Sequence, residues 1–354
     1  MTKLYLTRFE FLILIALTTF ALLLLVSTND LISFYLSIEM QSLCLYVLAA
    51  FKRTSQLSTE AGLKYFVLGA LSSSFLLFGM SLIYGFTGST NFAEISKSIL
   101  NSANLENIPN ALILGLILVL CGFLFKLTAV PFHIWSPDVY EGAPLLVMIF
   151  FSTVPKFAIF CFFTKLLYTT FFDLYFIWQP ILIVTAFLTI LFSSLAALYQ
   201  KKIKRFLAYS SINHVGYMLM SLSTGTLVGV HAFFLYILIY MLTMFTFFSM
   251  LISLKRETNK NIVYLTDLLY LKQIYPITRI IITLLFFSMA GIPPLIGFFA
   301  KFYVFLAAVE TNYYLLLTIS ILCSTLSAFY YIRVIKIINF EKTLNLNILE
   351  FKPW

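Results

Sequence analysis

The chain has 354 residues, of which 61% are hydrophobic, 18% aromatic and only 10% charged, and its mean hydropathy is +0.99. This composition excludes a soluble domain and indicates a membrane protein that crosses the bilayer several times. The net charge of +9 would suit a nucleic-acid binder, but most of the cations lie in short loops between apolar segments, which argues against that class.

Ten apolar segments follow one another along the chain, each near the ~20 residues that cross a bilayer core as a helix. We therefore predict an all-α polytopic membrane protein with about 10 transmembrane helices. The predicted segments are 10–26, 31–51, 60–86, 111–130, 145–169, 177–199, 206–222, 227–254, 278–309 and 313–338.

The loop charges support this count, because a wrong number of helices would mix the cations between the two faces. If both termini share one face, that face holds seventeen cations, and the other holds only Lys97 and Lys165. Cation-rich short loops mark the matrix or cytoplasmic side, where both termini are therefore predicted. The seventeen cations are Lys3, Arg8, Lys52, Arg53, Lys201, Lys202, Lys204, Arg205, Lys255, Arg256, Lys260, Lys272, Arg279, Arg333, Lys336, Lys342 and Lys352.

Five ionisable residues remain, and neither topology nor solubility explains them. A charge at the centre of a membrane helix costs roughly 2.5–3.5 kcal/mol on insertion scales, so each is a candidate for proton translocation. These residues are Glu39, Lys64, Lys126, Lys156 and Lys301. For Lys64, which follows Glu60 by four residues, an extended side chain that reaches the interface is an open alternative.

Proline interrupts two of the segments close to a lysine. In the fourth segment Lys126 precedes Pro131, and a polar, aromatic turn is predicted after it; in the ninth, Pro293 and Pro294 precede Lys301. Proline frees backbone groups that need partners inside the membrane. Broken helices of this kind are typical of ion pathways.

The two interrupted helices occupy equivalent places when the ten helices are divided five and five. Because five is odd, the second half begins on the opposite face and runs inverted. We predict two inverted five-helix repeats, residues 1–170 and 171–340, each with a proline-interrupted helix, followed by a tail of residues 341–354 on the matrix side.

Glu39 and Lys126 have opposite charges and are expected to pair, since pairing lowers the cost of burial. A carboxylate that approaches or leaves a lysine changes how firmly the lysine holds its proton. Candidate relay residues are His133, His214 and Tyr236, and further hydroxyls considered are Ser72, Ser73, Ser74, Thr128, Ser152, Thr153 and Tyr240. The favoured interpretation of the hydroxyls is that they form hydrogen bonds within their own helices. Asp138 and Glu141 are interpreted as helix caps or as partners of loop lysines in salt bridges.

Other chemistries have no recognisable pattern in the sequence. The glycines form no nucleotide fingerprint. The four cysteines, Cys44, Cys121, Cys161 and Cys323, stand apart, without the spacing of a zinc or iron–sulfur site. Any redox centre is therefore expected on other chains.

Seven motifs resemble the antiporter-like membrane subunits of respiratory complex I, in particular those of the subunit 2 type. The resemblance covers about residues 10–340. The motifs are EMQSL at 39–43, LKYF at 63–66, KLTAVPFH at 126–133, WSPDVYEGAP at 135–144, VPK at 154–156, KRFLAYSSI at 204–212 and GIPPLIGFFAK at 291–301.

The resemblance implies proton translocation driven by quinone reduction elsewhere in the complex. It implies that Glu39 pairs with Lys126, that Lys64 and Lys156 continue the polar axis, and that Lys301 serves the second interrupted helix. No cofactor is expected on this chain, because FMN, iron–sulfur clusters and ubiquinone belong to partner subunits. A cation/proton antiporter subunit and a non-pumping structural spacer are the alternatives.

The same resemblance implies the mitochondrial inner membrane and a set of partners. These partners are membrane-arm subunits of the 4, 4L and 5 types, accessory subunits and phospholipid, with no nucleic acid. Full-length members have fourteen helices, and the chain resembles helices four to thirteen. The other helices are either lost or supplied by a separately encoded fragment, and the sequence leaves this open.

Overall fold

The computed structural model describes residues 9–101, 109–258, 263–269 and 276–341. In these ranges the chain forms thirteen α-helices. They are α1 Phe9–Ser27, α2 Leu31–Ala49, α3 Gln56–Thr87, α4 Phe92–Asn101, α5 Asn110–Lys126, α6 Trp135–Gly142, α7 Leu145–Lys165, α8 Tyr175–Leu198, α9 Ile203–Ser223, α10 Leu227–Thr258, α11 Pro276–Ala290, α12 Ile296–Glu310 and α13 Tyr314–Asn339.

Seven uninterrupted helical stretches in the described ranges are long and apolar enough to cross a membrane. They are Phe9–Ser27, Leu31–Ala49, Gln56–Thr87, Leu145–Thr170, Phe172–Leu198, Leu227–Ser253 and Tyr314–Asn339. Each corresponds to one predicted segment. The remaining three predicted segments are the two that contain a break and the one that forms α9. The predicted all-helical membrane fold is confirmed.

Helix α9 lies at the centre of the bundle. It packs against α6, α7, α8, α10 and α12, and nearly all its side chains are buried, including Ser210, Ser211, Asn213 and His214. A helix that touches protein on every side does not need an apolar, lipid-facing stripe. This position allows α9 to be the most polar of the predicted spans and to carry candidate relay residues.

Both interrupted helices break in the same way. After α5, Thr128 has a positive φ of 66° and the Val130–Pro131 bond is cis; after α11, Gly291 has a φ of 86° and the Pro293–Pro294 bond is cis. In each case the cis proline lies three residues after the residue with positive φ. A left-handed backbone cannot continue an α-helix, so each helix ends there.

One local prediction was wrong, and one helix was not predicted. The stretch after Pro131 was expected to be a turn, but its second part forms the eight-residue helix α6. Helix α4 was not predicted; it buries Phe92, Ile95 and Ile99 on one face, the spacing of an amphipathic helix. The tail beyond residue 341 and the cations Lys3, Arg8, Lys260, Lys272, Lys342 and Lys352 lie outside the described residues.

Candidate functional site

Lys126 lies at the break between α5 and α6. It is the last residue of α5 and is 7% exposed. Its Nζ has no hydrogen-bond partner within the protein and lies 5.8 Å from the centroid of the Tyr46 ring. The ring face and the negative end of the α5 dipole both favour a cation here. Gly69 allows this arrangement, because a Cβ at that position would lie 2.1 Å from the Tyr46 hydroxyl oxygen.

Glu39 does not form the expected direct pair with Lys126. Its side chain is half-buried on α2, and its Oε1 has no hydrogen-bond partner within the protein. No nitrogen–oxygen contact of 4.0 Å or less joins the two residues, since the Lys126 ammonium lies over Tyr46 instead. Glu39 still acts on Lys126 electrostatically through space. The two side chains therefore form no contact salt bridge in the structure, although the two charges remain near each other.

Lys156 lies in the interior of α7, directly after a residue that interrupts the helical hydrogen bonds. Pro155 lies within α7 and has no N–H, so the carbonyl of Phe151 one turn earlier loses its helical partner. The Tyr140 hydroxyl of α6 points at that carbonyl, at 3.5 Å. Lys156 itself is 4% exposed, and its Nζ donates a hydrogen bond to Ser211 Oγ at 3.1 Å.

A second tyrosine binds the next carbonyl of α7. Tyr240 of α10 donates its hydroxyl hydrogen to the Ser152 carbonyl at 2.9 Å. The Lys156 ammonium also lies 5.8 Å from the centroid of the Tyr140 ring. Helices α6, α9 and α10 therefore all contribute to the position of Lys156.

Lys126 and Lys156 line one internal cavity. The space available to the centre of a water molecule is about 20 Å³, enough for about one water. Gln41, Thr128 and Tyr140 also line this cavity. Two lysines from different helices thus share one polar space.

His214 connects the centre of the bundle with the second half. On α9 it lies one turn after Ser211 and therefore on the same side of the helix. Its Nδ1 lies 2.8 Å from the Tyr236 hydroxyl, and its Nε2 lies 3.3 Å from the Tyr331 hydroxyl. The Tyr240 ring packs beside the imidazole. Polar groups thus continue from Ser211 through His214 to Tyr236.

Lys301 lies beside the second helix break. It is 6% exposed, and its Nζ donates hydrogen bonds to the Ala290 carbonyl at 2.8 Å and to Ser327 Oγ at 3.4 Å. Ala290 ends α11, so the lysine binds a carbonyl that the break leaves free. A second cavity of about 20 Å³ is lined by Lys301 together with His214, Tyr236 and Tyr240.

Lys64 differs from the other candidate lysines, because its side chain is partly exposed and is paired with two carboxylates. Its side chain is 42% exposed and binds Glu60 at 2.7 Å and Asp138 at 2.9 Å. The ammonium is thus bound by the carboxylate one turn earlier on its own helix and by the carboxylate in the first turn of α6. His133 is half-buried in the turn before α6, and its Nδ1 has no hydrogen-bond partner within the protein.

Asp138 and Glu141 of α6 form salt bridges, as predicted. Asp138 accepts hydrogen bonds from Lys64 and from Arg205, the latter at 2.7 Å. Glu141 binds Lys202 and Arg205. We call these five residues the α6 clamp, because they join the short helix to α3 and to the start of α9.

The other hydroxyls that the sequence suggested behave differently from one another. Ser72, Ser73, Ser74, Ser152 and Thr153 bind carbonyls of their own helices, which confirms the favoured interpretation for them. Thr128 Oγ1 has no hydrogen-bond partner within the protein.

The structure also reveals polar contacts that the sequence did not single out, from Ser211, Tyr140 and Tyr331. For Ser211 a signal existed, since it precedes His214 by three residues on the same helix.

The described residues contain no group of three or more His, Cys, Asp and Glu side chains arranged to hold a metal ion. Lys126, Lys156 and Lys301 are buried ammonium groups, and cavities, hydroxyls and an imidazole lie between them. Such groups can bind, hold and pass protons. The site therefore has the side chains for proton transfer within the membrane.

Comparison with known proteins identifies relatives over almost the entire chain. The chain is 48% identical over 335 residues to NADH-quinone oxidoreductase subunit N 1 of Rhizobium meliloti, covering 95% of this chain and 69% of the relative. It is 46% identical over 339 residues to NADH-ubiquinone oxidoreductase chain 2 of Marchantia polymorpha, covering 95% of this chain and 68% of the relative. The chain therefore spans about two thirds of the length of these proteins.

A solved structure shares the fold. A chain of respiratory complex I from Thermus thermophilus is 33% identical and superposes with a TM-score of 0.79, covering 94% of this chain and 71% of that one. The model of the family described as NADH:quinone oxidoreductase/Mrp antiporter, transmembrane, matches residues 28–327. The chain belongs to this NADH:quinone oxidoreductase/Mrp antiporter family of transmembrane proteins.

Proposed function

We propose that this chain is a membrane-arm subunit of a respiratory NADH:quinone oxidoreductase and that it moves protons across the membrane. The observation that carries the proposal is the row of three buried lysines, Lys126, Lys156 and Lys301, with polar groups and two cavities between them. NADH oxidation and quinone reduction take place on other subunits, together with FMN and the iron–sulfur clusters.

The order of groups along the bundle suggests the path. Glu39 modulates Lys126 through space, Lys126 shares a cavity with Lys156, and Lys156 contacts Ser211. From there His214 and Tyr236 lead to the cavity of Lys301. His133 serves as an entry group at the first break, and Lys64 acts at the edge of the path through the α6 clamp.

Three buried lysines are difficult to explain by stability alone. A buried charge without a partner carboxylate is costly, and replacement by an apolar side chain of similar size is often neutral or stabilising. Lys156 and Lys301 have only hydroxyl or carbonyl oxygen acceptors. Their presence in the interior is therefore consistent with a role in which the side chain gains and loses a proton.

We further propose the organisation that the sequence predicted. The chain forms two inverted repeats, residues 1–170 and 171–340, and the shared geometry of the two breaks supports this division. The subunit lies in the mitochondrial inner membrane with both termini on the matrix side, next to subunits of the 4, 4L and 5 types and accessory subunits. Phospholipid surrounds the apolar faces of α1 and α3.

The test is Lys156→Met in the complete complex, reconstituted into liposomes. Internal acidification and NADH oxidation are measured together, so that protons are counted per NADH. Lys165→Met is the matched control, because Lys165 lies at the end of the same helix and binds only Thr28 and Asn29. We expect fewer protons per NADH for Lys156→Met and an unchanged ratio for the control.

An assembled Lys156→Met complex with the full proton ratio would refute the relay role and favour a structural spacer. If the purified chain instead exchanges sodium for protons without any redox partner, the antiporter alternative is correct. The family description includes Mrp antiporters, so this measurement belongs in the same set of experiments.

A further inference from the structure

The cavity between Lys126 and Lys156 contains an unusual concentration of polar atoms that lack partners. Gln41 on α2 is 3% exposed, and its Oε1 has no hydrogen-bond partner within the protein. The same holds for Lys126 Nζ and Thr128 Oγ1, and all three residues line this cavity. A buried polar group without a partner costs free energy, so three at one place point to a ligand.

The size and chemistry of the cavity define that ligand. About 20 Å³ is available to the centre of a water molecule, which is room for about one water, and a buried water needs two to four polar partners. Lys126 offers N–H donors, Gln41 offers a carbonyl oxygen, and Thr128 offers a hydroxyl that can donate or accept. Lys156 lines the same space.

The second half of the protein provides a contrast. Lys301 lines a cavity of the same volume, but its ammonium already binds the Ala290 carbonyl and Ser327. The unsatisfied groups are therefore a property of the first cavity and not of buried lysines in general.

We propose that Gln41 and Thr128 hold one water molecule between Lys126 and Lys156, and that protons cross between the two lysines through it. This inference rests on the proposed function and adds a positioning residue, Gln41, to it. In the transfer step the Lys126 ammonium gives a proton to the water, and the water gives a different proton to the uncharged Lys156 amine. One water remains, Lys126 ends uncharged, and Lys156 carries the charge.

A carboxamide suits this position because it orients the water without carrying a charge of its own. Its carbonyl oxygen accepts one water hydrogen, which leaves a water lone pair for the Lys126 ammonium and the second water hydrogen for the uncharged Lys156 amine. A carboxylate there would attract an ammonium and hold the proton. An apolar side chain would leave the water with too few partners.

The first measurement is a structure of the complete complex in lipid, at a resolution that shows ordered water. We expect density for one water within hydrogen-bond distance of Gln41, Thr128 and Lys126. A direct hydrogen bond between Gln41 and Lys126 without water density would overturn the proposal.

The second measurement compares proton translocation in variants of the reconstituted complex. Gln41→Leu removes the carboxamide at similar volume, and loss of one hydrogen bond to the transferring water slows the rate roughly tenfold. Gln41→Glu should keep the water density and still slow pumping. The control is Ser37→Ala, one turn earlier on α2, whose hydroxyl binds the Phe34 carbonyl at 2.7 Å; it should pump normally.

Lys126→Met separates the two proposals. If it stops pumping while Gln41→Leu pumps at the normal rate, the water bridge is wrong and the lysine relay stands. If assembled complexes with Lys126→Met and with Lys156→Met both pump normally, the proposed function itself fails and the water bridge fails with it.

Discussion

Replacement of Gly69 by alanine should disturb Lys126 without altering any charged group. Gly69 lies on α3, where an added Cβ would come within 2.1 Å of Tyr46 Oη, 2.6 Å of Cζ and 2.8 Å of Cε1. Carbon atoms do not approach this closely, so the tyrosine ring must move. That ring lies beneath the Lys126 ammonium, at 5.8 Å, so the lysine should lose its position as well.

The expected cost follows from two opposing terms. Overpacking a well-packed interior costs about 1–3 kcal/mol. Alanine in place of glycine within a helix stabilises the folded protein by about 0.5–1 kcal/mol. Gly85 on the same helix gives a matched control, because a Cβ there meets nothing within 4 Å. The difference between Gly69→Ala and Gly85→Ala therefore isolates the overpacking term, about 1–3 kcal/mol.

Two assays on the complete complex measure this effect. Survival of NADH:quinone activity after stepwise heating reports stability, and acidification of liposomes per NADH reports proton translocation. We expect Gly69→Ala to lose activity at lower temperature and to pump fewer protons per NADH. Gly85→Ala should match the unmodified complex or exceed it in heat survival.

A double-mutant cycle tests the cause. Tyr46→Leu removes the hydroxyl oxygen and the two ring atoms that the new Cβ would meet, so Gly69→Ala should then cost nothing further. If Gly69→Ala and Gly85→Ala behave alike, or if the cost persists with Leu at position 46, the ring contact is not the reason for the glycine.

Three further predictions concern neighbouring contacts. Ser211→Ala removes the hydrogen-bond acceptor of Lys156, which should lower stability by about 1–3 kcal/mol and reduce pumping. The control is Ser210→Ala, because the Ser210 hydroxyl binds the Leu207 carbonyl of its own helix. Equal pumping by the two variants would contradict the role of Ser211. Arg205→Gln removes two salt bridges of the α6 clamp, and because these pairs are partly exposed the loss of stability should be about 0.4–2 kcal/mol. Survival of NADH:quinone activity after stepwise heating measures this loss. An unchanged survival would show that the clamp does not stabilise α6. Lys301→Met should lower the number of protons per NADH with normal assembly, and a full ratio would limit the path to the first half of the protein.

Much of the fold could be predicted from the sequence, because the bilayer imposes a simple rule. A helix that faces lipid must be apolar over about 20 residues, and the seven uninterrupted spans follow this rule. The two breaks were also predictable, since proline removes a backbone hydrogen bond and often kinks or ends a helix, although Pro155 lies within α7 without ending it. The fold of α6 was not, because this short stretch mixes polar and apolar residues over only eight positions and packs against α3 and α9, which are distant in sequence.

The candidate site was only partly predictable. Buried lysines stand out in an apolar sequence, and Lys126, Lys156 and Lys301 are indeed buried. Lys64 looked equivalent in sequence, yet it binds Glu60 and Asp138 at the edge of the bundle. Whether a lysine is buried depends on which face of its helix packs against another helix. The sequence of one apolar helix does not show which face that is.

By itself, the sequence determined the class of protein, the positions of the membrane-spanning helices and three of the costly buried charges, Lys126, Lys156 and Lys301. Each of these follows from local chemistry, namely the apolar length of a segment, the missing N–H of proline and the cost of a charge in hydrocarbon. Only the tertiary structure decided that Lys126 lies over Tyr46, that Lys156 meets Ser211, and that Gln41 faces the cavity between them. Those contacts join residues from different helices, and packing of one helix against another sets them.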